Sequence, residues 1–145
     1  MALDDDIANL RGIPLLEDFE TEALRLLAFS AETKLLRAGD LLFRRGDRSD
    51  GGYILMNGSI ALEKSDDGRP AEKILRPLTL IGETALIAET LRPVSAIARE
   101  PSTVLKITRA LFHRILEEYP ATALRVRRRL AARLEQLAKN LSFEA

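Results

Sequence analysis

A glycine, an acid and an arginine at fixed spacing are the residues of this chain best suited to hold a small anion. Ile81-Gly82-Glu83-Thr84-Ala85-Leu86-Ile87 is followed, five residues later, by Arg92-Pro93-Val94-Ser95-Ala96. The first run predicts a glycine turn leading into a first helical turn. Backbone N–H groups there lack intrahelical partners and sit at the positive end of the helix dipole, so they attract anions. Arg92 adds a permanent charge and a rigid donor fork suited to phosphate oxygens. Glu83 adds an acceptor for a hydroxyl, so the set suits a phosphate that also carries a sugar. The same residues, taken alone, equally fit a helix start favoured by Glu83 and a surface Arg92.

Little else in the chain can do chemistry. There are no cysteines, which removes disulfides, thiolate metal sites and cysteine-ligated clusters. His113 is the single histidine, so a histidine-rich metal site is impossible. Its place inside a helical segment reads as an exposed helix residue rather than a haem ligand. Asp4-Asp5-Asp6 reads as a solvated negative run near a helix start. No nucleophile–base pair, metal cluster or triphosphate loop can be assembled, and no enzyme is expected. The 22 basic and 22 acidic residues balance, so no global field favours nucleic acid or anionic lipid. Apolar runs such as Leu78-Thr79-Leu80-Ile81 fall far short of the roughly 20 residues that span a bilayer. The acidic N-terminus is unlike a signal peptide. A cytoplasmic protein, without a membrane segment, is the expectation.

The elements that must position Gly82, Glu83 and Arg92 fall into three zones of a 145-residue chain, most simply one domain over 1–145. Residues 1–32 predict helices, with Leu24, Leu27 and Ala28 on one face after an Asp18 or Thr21 cap; Pro14 divides the zone into two short helices. Residues 33–108 carry short apolar runs bounded by Gly, Asp or Pro: Leu35-Leu36, Leu41–Phe43, Tyr53–Met56, Ser59–Leu62, Ile74-Leu75, Ala96–Ala98 and Val104–Ile107. Asn57-Gly58 predicts a two-residue hairpin and Asp66-Asp67-Gly68 a further turn. Seven or eight short strands at this spacing suggest an antiparallel sandwich or barrel. Residues 108–142 predict two helices, the first capped by Thr108 and the second opened by Pro120. Ala123, Val126, Leu130, Leu134, Leu137 and Leu141 give the second an apolar stripe, able to pack on the barrel or on a second copy.

This order, with the motif late in the strand zone, resembles the cyclic-nucleotide-binding domain of catabolite activators, protein kinase A regulatory subunits and cyclic-nucleotide-gated channels. Gly39-Asp40-Leu41-Leu42-Phe43-Arg44-Arg45-Gly46-Asp47 is similar to the family's early pair of glycine turns. Asp50 through Tyr53-Ile54-Leu55 and then Gly58-Ser59-Ile60 are similar to its next hairpin, and Gly82–Ile87 with Arg92 to its phosphate-binding cassette. The resemblance covers roughly residues 10–140. It implies an α+β fold: an antiparallel, jelly-roll-like β-barrel flanked by N-terminal helices and two C-terminal helices.

By that resemblance, Glu83 accepts from the ribose 2′-hydroxyl and Arg92 pairs with the cyclic phosphate, with no metal. The backbone N–H groups of Thr84, Ala85 and Leu86, after Gly82, supply further donors. Glu83 and Arg92 can pair with each other in an empty site. Pro93 departs from the family pattern: it has no N–H where a small donor residue is usual. Losing one such contact costs about 1.5–3 kcal/mol, and the absence of a hydroxyl there, which in the family often helps select guanine, leans the ligand toward cAMP over cGMP. Ser95 shares its strand face and either reaches the phosphate or simply packs.

Arg125, Arg129 and Arg133 form a basic stripe on the last helix, most simply a solvated face, with Arg128, Arg129 and Arg133 as candidates to meet the base. No helix-turn-helix is expected after Leu141, so no DNA-binding segment. The reading is a free-standing cyclic-nucleotide sensor that binds cAMP or cGMP and moves its last helix. Its output would be a regulated partner protein or a homodimer through that helix. The alternative is a structural or interaction domain that keeps the fold without a ligand.

Overall fold

The computed structural model describes residues 2–64 and 73–144. The turn expected at Asp66-Asp67-Gly68 lies outside them. Helix α1 (Ala2–Arg11) is followed by a 3₁₀ turn at Pro14–Leu16 and helix α2 (Thr21–Ser30). Ile13 is extended, as the residue before a proline must be, and Pro14 divides the two helices as expected. The cap of α2 differs from expectation. Its N-cap is Glu20, without a side-chain cap bond, and the Thr21 hydroxyl accepts from Arg11 Nη2 at 2.9 Å instead.

Eight strands follow: β1 (Glu32–Leu36), β2 (Leu41–Phe43), β3 (Gly51–Asn57), β4 (Ile60–Glu63), β5 (Lys73–Leu75), β6 (Thr79–Ile81), β7 (Ser95–Ala98) and β8 (Ser102–Thr108). They form two antiparallel sheets, ordered β1-β8-β3-β6 and β2-β7-β4-β5. That is the pairing of an eight-stranded jelly roll, so the expected α+β barrel between helices is what the chain forms. Asn57 and Gly58 turn the chain, with Gly58 at positive φ. The product is a corner and not a hairpin, because β3 and β4 enter different sheets. Strand β6 was not expected from its short apolar run.

The core has two compartments. Between the sheets lie Leu36, Leu42, Phe43, Tyr53, Leu55, Ile60, Leu75, Ile81 and Val104. On the outer face of the β1-β8-β3-β6 sheet, Ile54, Leu105 and Ile107 meet Leu10, Leu16, Phe19, Leu24 and Leu27 of the N-terminal helices. Period-two alternation assigns neighbouring residues of β3 to opposite compartments. Phe112 and Ile115 of α3 (Arg109–Glu118) and Val126 of α4 (Pro120–Glu144) complete the outer one.

Thr108 caps α3 as expected, its hydroxyl accepting from the Leu111 N–H at 3.1 Å. Thr108→Ala is expected to cost about 1 kcal/mol, near 3 °C in thermal melts followed by circular dichroism. Tyr119 closes α3 through its N–H to the Ile115 carbonyl, and Pro120 opens α4. Ala123 and Val126 are buried and Leu130 packs on the outer core. The expected stripe continues at Leu134, Leu137 and Leu141, whose side chains lie outside the described residues.

Candidate functional site

Gly82 ends β6 in the left-handed region, with φ 82° and ψ 43°. A side chain there would also place its Cβ 2.7 Å from Arg92 Nη1. Two separate constraints therefore select glycine. The following turn, Glu83–Leu86, is 3₁₀ rather than the first turn of an α-helix. Its tighter hydrogen bonding corrects one expectation: the Ala85 N–H donates to the Gly82 carbonyl at 3.0 Å and has an internal acceptor. Leu86 sits in the outer core and Ala85 is buried, so both pin the turn, while Thr84 is exposed.

Arg92 is a buried cation, only 5% exposed. Nη2 donates to the Gly51 carbonyl at 2.7 Å. Its Cζ lies 4.4 Å from the Phe43 ring centroid and 5.7 Å from that of Tyr53. The two rings stack on each other with centroids 6.0 Å apart, giving the guanidinium an aromatic seat. The backbone is fixed as well: Arg92 N–H donates to the Asp47 carbonyl and Gly46 N–H to the Arg92 carbonyl, both at 2.8 Å. Burial pushes the Arg92 pKa below its ordinary value, against the opposing pull of Tyr53, Asp50 and Asp47. Arginine nevertheless stays charged at neutral pH. Burial also acts to raise the Asp50 pKa, but the Lys106 ammonium 3.1 Å away brings it below the usual carboxylate value.

Glu83 and Arg92 do not pair with each other. Arg92 is engaged by Gly51, and Glu83 makes an ion pair with Arg133 of α4. Glu83 faces a cavity of about 560 Å³ between the Pro14–Leu16 turn, β6 and α4. Its walls are Ile13, Pro14, Leu15, Leu78 and Leu80, with Arg129 and Arg133 at the edge. This volume is within the range of small-molecule sites, about 300–1,000 Å³. Pro93 is exposed. Ser95 is buried, and its hydroxyl accepts from the Arg45 N–H at 2.9 Å, tying β7 to the end of β2.

The basic stripe of α4 stays exposed at Arg125 and Arg133, as a solvated face would, but each of its arginines has a partner. Arg125 donates to the Asp18 carbonyl at 2.6 Å, and Arg129 pairs with Glu17 at 2.7 Å and Asp18 at 3.5 Å. With Arg133 on Glu83, the stripe faces the domain, where three acidic residues offset its self-repulsion.

Arg109, the first residue of α3, was missed in the sequence. Its Nε donates to the Ala85 carbonyl at 3.0 Å, and Nη2 to those of Ser49 at 2.8 Å and Ala88 at 3.1 Å. Its own N–H donates to the Asp50 carbonyl at 2.7 Å. One side chain thus ties the cassette to the entrance of β3 and the start of α3. In the sequence it is only a residue following a helix cap. Phe43 and Tyr53 carried no site signal either, because strand aromatics read as core.

Among the described residues, no helix is long and apolar enough to cross a membrane, and no group of three or more His, Cys, Asp or Glu could hold a metal ion. An eight-stranded roll between helices, with a glycine-led 3₁₀ turn between its sixth and seventh strands, defines a small jelly-roll domain. The chain belongs to the cyclic nucleotide-binding domain family, whose model matches residues 33–119. A cyclic nucleotide-binding-like protein from Brucella abortus is 46% identical, with a TM-score of 0.72 over 79% of this chain and 99% of that one. The N-terminal domain of a Streptomyces coelicolor transcriptional regulator is 28% identical, with a TM-score of 0.83 over 91% of this chain and 94% of that one. A lysophospholipase of Chaetomium globosum is 28% identical over 75% of this chain, which spans only 7% of that protein.

Proposed function

We propose that this chain is a cyclic-nucleotide sensor, one domain over residues 1–145, in which Arg92 holds the cyclic phosphate and Glu83 the ribose. Arg92 carries the reading. Among the described residues no carboxylate lies within ion-pair distance of this buried cation. Burying an incompletely paired charge costs stability, so its retention is best accounted for by a ligand that supplies the missing anion. Thr84 and the Gly82 turn offer backbone groups beside it, with Ala85, Leu86, Pro93 and Ser95 shaping the rest of the cassette. The family supports a cyclic nucleotide as that ligand.

Binding at Glu83 competes with Arg133, so nucleotide releases α4 from the cassette and changes the surface offered to a regulated partner or to a second copy along that helix. The ligand shifts α4 only by its differential affinity for the two arrangements. A cytoplasmic location, a preference for cAMP over cGMP through Pro93, and the absence of catalysis complete the proposal.

The test is calorimetric titration of wild type and Glu83→Ala with cAMP and cGMP. The expected result is micromolar or tighter binding to wild type, cAMP ahead of cGMP, weakened about tenfold or more in the variant. No heat at millimolar nucleotide would favour the ligand-less interaction domain instead.

A further inference from the structure

Among the described residues, strand β1 is a sheet edge, paired with β8 alone. The other edge strands are protected by being short: β2, β5 and β6 have three residues each, and the register of β2 shifts along its length. Strand β1 has five residues, pairs in unbroken register, and contains neither glycine nor proline. Among the described residues it therefore presents the longest regular edge, which is a template for another strand. Glu32, Thr33 and Leu35 are exposed and Lys34 is half-buried. Leu35 is 78% exposed, and Phe29, at the end of the helix leading into β1, is 81% exposed.

We propose that β1 is a self-association edge, at which two copies of this chain pair antiparallel about a two-fold axis at Thr33. The charges choose both the partner and the register. Centred on Thr33, Glu32 lies opposite the partner's Lys34, and Lys34 opposite the partner's Glu32. Leu35 then meets the partner's Ala31 on the outer face. Sliding the axis one residue either way sets Lys34 against the partner's Lys34, or Glu32 against the partner's Glu32. Like charges directly opposite are destabilising. Centring between two residues would set opposite faces of the strands against each other. Only a reciprocal, isologous contact satisfies both charges twice, which a second copy supplies by symmetry. The contact is small, so association is weak and rises with concentration.

Sedimentation equilibrium of the full chain tests this, from micromolar to millimolar concentration, with Glu32→Lys, Lys34→Glu and their equimolar mixture. Each variant alone replaces two attractive contacts with two repulsive ones and should weaken self-association about tenfold. In the mixture every cross-strand contact is again between opposite charges, so association should return. Leu35→Ser, at an exposed site, should weaken association without changing the thermal melt. A wild type that stays monomeric throughout overturns the proposal. So does association that ignores the charge variants, as a contact through α4 would, or loss that the mixture does not repair. None of these outcomes depends on whether nucleotide binds.

Discussion

Arg92→Met should lower cyclic-nucleotide affinity by about a hundredfold or more while moving the melting temperature by only a few degrees. The two effects separate because the guanidinium's charge and its packing are separable. Methionine loses the guanidinium's contact with Phe43 and Tyr53 but offers those rings a thioether on an unbranched stem in its place. It removes a charge whose burial depresses its own pKa, which is a stabilising change. Against that stands the Gly51 carbonyl, which loses its 2.7 Å donor, a penalty of about 1–3 kcal/mol. The terms oppose each other in folding, but both charge and donor are lost to an anionic ligand. Calorimetry and thermal melts on the same preparation read the two. A variant that unfolds yet binds normally when stabilised would mark Arg92 as structural and sink the assignment.

Gly51→Ala should be strongly destabilising. A Cβ at residue 51 would lie 2.0 Å from the Ile107 carbonyl oxygen, 2.8 Å from the Thr108 Cα and 3.0 Å from the Arg109 nitrogen. All three are backbone atoms of the segment that pairs with β3 and opens α3, so no side-chain rotation relieves the contact. Relief requires parting β3 from β8 at the point where Gly51 opposes Thr108. The expected loss is about 3 kcal/mol or more, seen as a lower urea midpoint with little change in slope. It should also displace the carbonyl that seats Arg92. A midpoint equal to wild type would show that this approach is looser than described.

The same two residues show what the sequence could and could not convey. Gly82, Glu83 and Arg92 were legible because their types and spacing are local, as were the Thr108 cap and the Pro14 and Pro120 breaks. Partners supplied by distant strands were not. Gly51, Phe43 and Tyr53 reach Arg92 only because the roll brings β2, β3 and the loop before β7 to one end, and no local pattern states that. Asn57-Gly58 was readable as a turn but not as a corner, since φ preference fixes the bend and not the sheet that the next strand joins. The partners of the stripe at Arg125, Arg129 and Arg133 were hidden for a related reason. Helical spacing shows that three guanidiniums share a face, whereas their partners Glu17, Asp18 and Glu83 come from distant segments.

Strand β3 passes between two compartments, with Tyr53 and Leu55 turned to the inner one and Ile54 and Met56 to the outer. Residues adjacent in the chain therefore serve different layers. Substitution at the odd positions remodels the chamber around Arg92, and at the even positions the bed on which the helices lie. A lineage can thus retune either layer while leaving the other intact, so long as the strand between them keeps its register.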